Sequence, residues 1–394
     1  MFLALSRGVG IKAQSSQASA YLFNAINFLA QDFHRKWTVG LFVHSFVTNG
    51  FVVLFMPILF NLSYLHESRQ FDFGQLFTSI QAAINICAIP IKFITMQLYM
   101  KNLHQINKML NILDGRCKHP EELNKLRRCA LTGNRIYVGA IIVYFSYSIS
   151  TCMGFMLTGQ AAYNIYIPGI DWRKSQLEFV IQGLIEFASM NLICLHQTVY
   201  DSYSGIYLYI IRMHIQILNE RLARMGSDPQ KNEDQHYEEL IQCILDHKLI
   251  LRLVSAISPM ISCTIFVQFT ITAAMLATTM INISFFSNVV GRIASIFYII
   301  LVFAQSSLCC YQATCLVTDA DKLPVSIFHC HWIEHDYRFR KMIVYFMVNT
   351  QKSITFTAGK LFAVNMASVL SIAKCSFSFY ALLKEMDFGG QATQ

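Results

Sequence analysis

Ala256–Phe285 reads AISPMISCTIFVQFTITAAMLATTMINISF, a run without a single Asp, Glu, Lys or Arg. About twenty apolar residues in a helix cross a hydrocarbon core of ~30 Å, so this run is long enough to span a membrane. Six further stretches have the same character: about Trp37–Tyr64, Phe73–Tyr99, Arg135–Leu157, Leu177–Ile211, Val289–Val317 and Thr355–Met386. The sequence therefore predicts an all-α polytopic membrane protein with seven transmembrane helices, forming a single membrane domain over residues 1–394.

The connections alternate sharply in basic residues. One set holds Arg7, Lys12, Arg35 and Lys36, then Lys101 to Arg128, then Arg212 to Arg252, and finally Lys322 to Lys360. The other holds only Arg69, Arg173, Lys174, Arg292 and Lys384. By the positive-inside rule the N-terminus is cytoplasmic and the C-terminus extracellular, the reverse of a G-protein-coupled receptor. The sequons Asn61-Leu62-Ser63 and Asn282-Ile283-Ser284 both fall at expected outer ends, in keeping with that orientation.

Charged residues make up 14% of the chain and apolar ones 54%, against about 25% charged in soluble domains. The net charge of +8 sits on the cytoplasmic connections, where it reads as a topology signal and an attraction to anionic membrane lipid. Nucleic acid is a poor partner because no basic stretch interleaves aromatics on a solvated face. Met1–Leu5 is too short for the apolar core of a signal peptide, so the first span is expected to direct insertion. Of the twelve cysteines, Cys117, Cys129, Cys243 and Cys330 fall in cytoplasmic connections and the rest in spans, so all are expected free.

Several spans run on as helices beyond the membrane. Leu103, Ile106, Leu110 and Leu113 form a one-sided stripe after the second span, as do Ile206, Ile210, Met213 and Ile217 after the fourth. Leu240, Ile241, Ile244, Leu245 and Leu249 precede the fifth. These stripes predict a cytoplasmic anchor bundle from about 100–134, 212–252 and 318–354, closed within one chain or shared between subunits. The loop Thr158–Ser175, with Tyr163, Tyr166, Pro168 and Trp172, is expected to fold down as a lid.

No enzyme signature is present: the chain lacks a P-loop, G-x-G-x-x-G, G-x-S-x-G and H-E-x-x-H. No cofactor or metal is expected, because His329, Cys330, His331 and His335 are too nearly contiguous for convergent zinc ligation. Ionisable residues inside spans are better leads, since a charge in hydrocarbon is costly. Lys92 is expected to snorkel from the inner end of its span. Glu186 lies too deep for that, and either hydrogen-bonds across helices or contacts a ligand. On the last span Cys375, Ser378, Leu382, Glu385 and Met386 share one helical face. A wettable wall, a bulky apolar constriction and a carboxylate are what a pore helix needs, although small residues also mark tight packing.

This last segment resembles the insect odorant receptors, whose final helix follows an AGKF…LN…SYSYF.LL pattern. The chain reproduces Ala358-Gly359-Lys360, Asn365 and the stretch Ser376-Phe377-Ser378-Phe379-Tyr380-Ala381-Leu382-Leu383, with Phe377 and Phe379 where tyrosines are common. Phe328-x-x-x-Trp332 and Leu240–His247 resemble further motifs of that family. The resemblance implies the odorant-binding subunit of a ligand-gated, non-selective cation channel in the plasma membrane of olfactory neuron dendrites. It implies a heterotetramer with a co-receptor subunit, and a pore and gate of Ser378, Leu382, Glu385 and Met386. The co-receptor carries a longer insertion before the fifth span, which this chain lacks. A small volatile ligand is expected among the outer halves of the helices, at Phe77, Ile80, Tyr147, Thr151, Gly154, Gln182, Glu186, Phe297 and Tyr298. A gustatory receptor of the same superfamily and a G-protein-coupled receptor are the alternatives.

Overall fold

The computed structural model describes residues 14–33, 38–67, 73–157, 159, 161–163, 165–286 and 289–385. A 3-10 turn, Ser15–Ser19, leads into the short helix α1 (Ala20–Phe28). The helix α2 (Val39–Gly50) passes through one π-turn into α3 (Met56–Glu67). Next come α4 (Phe73–Cys87) and α5 (Ile89–Gly115), separated at Ala88 because Pro90 has no N–H to continue the ladder. Then follow α6 (Pro120–Leu157), α7 (Gln176–Ala223) and α8 (Glu233–Ile281). The chain continues as α9 (Val289–Ala320), α10 (Leu323–Phe328), α11 (Tyr337–Thr350) and α12 (Met366–Glu385).

Among the described residues, six helical segments are long and apolar enough to cross a membrane, and α12 supplies a shorter apolar helix. Their flanks carry large apolar side chains in the open, including Phe46, Leu54, Ile94, Leu98, Ile142 and Ile300. A contiguous exposed apolar band of this kind needs hydrocarbon around it.

At ~1.5 Å per residue, α7 and α8 are each about 70 Å long, more than twice the hydrocarbon thickness. Both overshoot at the end that carries the basic connections. The stripes anticipated there are buried within one chain: Leu103, Ile106, Leu110 and Leu113 of α5 meet Ile206, Ile210, Met213 and Ile217 of α7 in the main core. Leu240 joins them from α8, whereas Leu245 points outward at 44% exposure. Arg221 locks this bundle, donating to Glu122 of α6 at 2.7 Å and to Asp246 of α8 at 2.8 Å, while Arg116, which caps the end of α5, pairs with the same Asp246. The start of the described chain is held at the same end, where Asp114 accepts from the backbone N–H (2.7 Å) and hydroxyl (3.0 Å) of Ser15. All twelve cysteines are free, and burial pushes the thiols of Cys117 and Cys330 up to about 12 and about 11, which makes them inert.

The last apolar segment departs from the sequence expectation. Residues 355–365 are not helical: Thr357–Ala358 (β1) and Phe362–Ala363 (β2) pair as a tight antiparallel hairpin, and α12 begins only at Met366. Gly359 and Lys360, at φ of 58° and 61°, make the turn in the left-handed region, which a helix cannot contain. The hairpin is fastened to α8 by Gly359, whose N–H donates to the Ser262 carbonyl at 3.1 Å. A Cβ at Gly359 would lie 2.6 Å from the Phe266 ring, so the glycine is required both by its backbone angle and by close approach. Gly359→Ala is expected to lower the stability of the purified chain by ~1–3 kcal/mol. Adding Phe266→Ala should restore only the part due to the ring clash; thermal unfolding in detergent reads both.

Candidate functional site

At the end opposite the basic bundle, α4, α6, α7 and α9 converge on a small enclosed cavity. Its wall is aromatic and aliphatic, with Tyr144 and Tyr147 from α6, Met190 and Ile193 from α7, and Tyr298 and Leu301 from α9. The rings of Tyr147 and Tyr298 lie 5.5 Å apart. Tyr163, from the loop between α6 and α7, closes the cavity from outside, braced edge-on by Phe60 at 6.4 Å. The cavity measures ≈ 30 Å³, room for a water molecule or two. A second, more open space of ≈ 220 Å³, lined in part by the exposed Arg135, Gly139 and Val143 of α6, shares Tyr144, Leu301 and Gln305 as its wall. Ligand pockets usually hold ~300–1,000 Å³, so an organic guest requires side chains in the shared wall to move.

Glu186 explains the lid. It is fully buried, and its two carboxylate oxygens accept from the backbone N–H groups of Tyr163 (3.1 Å) and Ile165 (3.0 Å). Gln182, one turn earlier, donates to Glu186 at 3.1 Å and to the Ile165 carbonyl at 3.3 Å. Ser79 holds the Tyr163 carbonyl at 3.2 Å and Ser63 accepts from the Tyr166 N–H at 2.7 Å, so the loop is tied to three helices. The carboxylate that the sequence singled out thus grips loop backbone and Gln182 of its own helix, a different set of partners from the expected bond across helices.

Beneath the cavity lies a buried polar floor. Lys92 does not snorkel: it is 2% exposed and donates to Asp201 at 2.6 Å, Gln268 at 2.6 Å and Gln197 at 3.2 Å. Asp201 takes a further hydrogen bond from the Tyr144 hydroxyl, and Gln197 donates to Asn85 at 2.9 Å. Gln268 donates to Gln305 at 3.1 Å. Snorkelling fails because Lys92 faces α7 and α8 rather than lipid, and an ammonium enclosed there must find acceptors. Asp201 was the missed signal: a carboxylate inside the fourth span is itself a reason to seek an in-span cation.

The residues expected to touch ligand divide as follows. Tyr147 and Tyr298 line the cavity. Gln182 and Glu186 stand just outside it, engaged with the lid. Ile80 and Thr151 are half-buried and off its wall, and Phe297 faces outward at 64% exposure because adjacent helical residues diverge by about 100°. The side chain of Phe77 and the surroundings of Gly154 lie outside the described residues. Of the pore set, Ser378, Leu382 (55%) and Glu385 are exposed on α12, and Met386 lies outside the described residues. The opposite face of α12, with Val369 and Ser376, packs on its own chain, Ser376 donating to the Ala273 carbonyl of α8 at 3.4 Å. No cluster of potential metal ligands occurs among the described residues.

The architecture defines a polytopic all-α membrane protein with a small cavity among its helices at the end away from the basic bundle. A family model described as 7tm Odorant receptor matches residues 72–377, and the chain belongs to that family. Among curated relatives, Odorant receptor 59b of Drosophila melanogaster is 31% identical over 96% of both chains. Odorant receptor 42a of the same fly is 32% identical over 95% of this chain and 92% of its own. The fold matches the olfactory receptor OR5 of Machilis hrabei in complex with eugenol, with a TM-score of 0.76 at 11% identity, covering 95% of this chain and all of that one. OR5 without that ligand matches at 0.73. Odorant receptors are sensory receptors rather than enzymes, and this family assignment displaces the gustatory and G-protein-coupled alternatives.

Replacing Glu186 by Leu removes the acceptor for two buried loop N–H groups, each worth ~1–3 kcal/mol when left unmade. Amide hydrogen exchange at Tyr163 and Ile165 is expected to accelerate at least about tenfold, while exchange in the α7–α8 bundle stays unchanged. Unaltered protection at those two amides would show that something other than Glu186 holds the lid.

Proposed function

We propose that the chain is the odorant-binding subunit of a heteromeric, ligand-gated, non-selective cation channel, working with a co-receptor subunit in the plasma membrane. Its N-terminus is cytoplasmic, its C-terminus extracellular, and its seventh span is α12. The observation that carries this reading is the two-sidedness of α12. One face packs on α8 and α9, whereas the other presents Ser371, Cys375, Ser378, Leu382 and Glu385 with no cover from the described chain. Lys374, Leu370 and Phe377 are exposed beside this strip. A strip of small and hydroxyl residues with Leu382 and a terminal carboxylate fits the wall of a pore completed by other subunits.

The ligand is a small volatile organic molecule held in the outer cavity, and the eugenol complex of the Machilis hrabei receptor supports a guest of that size. Binding is expected to expand the cavity and move α9 and α8, against which α12 packs. Leu382 then acts as the apolar constriction: in the closed state it excludes water, and in the open state it withdraws. Met386, outside the described residues, completes the proposed set, and Glu385 meets the permeating cation.

Co-expression with an insect co-receptor and recording against an odorant panel tests the reading. Odour-evoked cation current is expected from the pair and none from this chain alone; robust ligand-gated current from the isolated chain would contradict the co-receptor requirement. Leu382→Ser should raise ligand-independent current, because favouring the wet pore by ~1.4 kcal/mol shifts the open-to-closed ratio about tenfold. Glu385→Gln should alter calcium permeation or block with little change in odorant potency. Normal ligand responses with an unchanged baseline in the serine variant would remove Leu382 from the pore.

A further inference from the structure

The buried lysine dictates which way the amides around the cavity point. An ammonium donates and never accepts, so the oxygen of each glutamine it touches must face it. Lys92 meets Oε1 of Gln268 at 2.6 Å, which turns the Gln268 Nε2 toward Oε1 of Gln305 at 3.1 Å. Gln305 must then present its own Nε2 on the far side, on the wall that both cavities share. That nitrogen is buried and makes no hydrogen bond among the described residues. Its two hydrogens leave one free even beside the neighbouring Tyr144 hydroxyl.

The same logic runs along the other arm. Lys92 meets Oε1 of Gln197, whose Nε2 therefore occupies Oδ1 of Asn85 at 2.9 Å. Two turns before Gln305 on the same face of α9, the Tyr298 hydroxyl, on a residue 5% exposed, is also buried without a hydrogen bond among the described residues. The acceptors of this floor are thus engaged by Lys92 and its amides, while three groups on the cavity wall keep a donor unpaired among the described residues: the Gln305 amide and the Tyr298 and Tyr163 hydroxyls. A buried donor left unpaired is unfavourable, so a guest that satisfies it is selected.

We infer that the cavity selects neutral volatiles bearing a carbonyl oxygen, such as ketones and esters, with Gln305 and Tyr298 as the residues that read the oxygen. The inference rests on the outer cavity being the ligand site. A carbonyl oxygen accepts from such donors, a hydrocarbon accepts from none, and a protonated amine finds the Asp201 charge already balanced by Lys92. Lys92 acts here as a positioning residue: it does not line the cavity and works through the amides it orients.

The test uses a shape-matched pair, 2-heptanone and 2-methyl-1-heptene, with heptylamine as a third probe, on the chain co-expressed with a co-receptor. The ketone is expected to be more potent than the alkene. Tyr298→Phe and Gln305→Leu should each reduce that preference about tenfold, the worth of one strong hydrogen bond, while leaving alkene potency unchanged or improved. Gln305→Glu, which replaces the donor with an acceptor, should lose ketone preference and gain response to the amine. Equal potency of ketone and alkene on the native receptor, or an undiminished preference in Tyr298→Phe, would overturn the inference. If no co-expressed channel gives current, the channel reading fails on its own, and the thermal midpoint of the purified chain decides this one. A rise with 2-heptanone that the alkene does not match supports it, and equal rises or none overturn it.

Discussion

The contact between Lys92 and Asp201 constrains the rest of the outer half. An isolated charge inside a bilayer is expensive, and a buried pair is tolerable only with good geometry and further hydrogen bonds. Each member here has them: Lys92 adds Gln197 and Gln268, and Asp201 adds Tyr144. Four helices are fixed by this arrangement, since Lys92 lies on α5, Tyr144 on α6, Gln197 and Asp201 on α7, and Gln268 on α8. The ion pair thereby sets the depth and spacing at which the aromatic cavity can form above it.

Above that floor, the lid and the wall are held by different physics. The lid is held by backbone N–H groups delivered to one carboxylate, Glu186, and the wall by tilted tyrosine rings in contact, with few polar commitments. A wall of this kind can yield to a guest while floor and lid keep their geometry. The connection to the proposed pore runs through α8, which carries Gln268 on one side and receives the hairpin and α12 on the other. A displacement of Gln305 by a ligand would reach Gln268 directly, and Gln268 lies two residues from Phe266 and less than two turns from Ser262, where the hairpin is fastened.

Much of this was readable from residues alone. The long charge-free run at Ala256–Phe285, the basic bias of alternate connections and the stripe from Leu103 to Leu113 are local patterns, and local patterns survive folding. The aromatic residues Tyr147 and Tyr298 were legible as cavity residues because their depth on neighbouring spans coincides. What escaped was pairing across distance: Lys92 and Asp201 are separated by 109 residues, and no periodicity links them. The rotation of individual helices also escaped, which is why Phe297 was grouped with Tyr298 although the two point apart. The Ala358-Gly359-Lys360 turn was hidden by its apolar flanks, which carry the hydropathy of a span but not its backbone angles.

The central claim, that one buried ion pair organises the outer half of the receptor, is tested most directly by a double-mutant cycle on thermal stability. Lys92→Met and Asp201→Leu alone each strand a charge and should each cost ~3–5 kcal/mol. Together they leave no charge behind, so the double variant is expected to be no less stable than either single, a coupling of about 3 kcal/mol or more. Additive losses in the double variant would show that the two side chains act independently and would contradict the account.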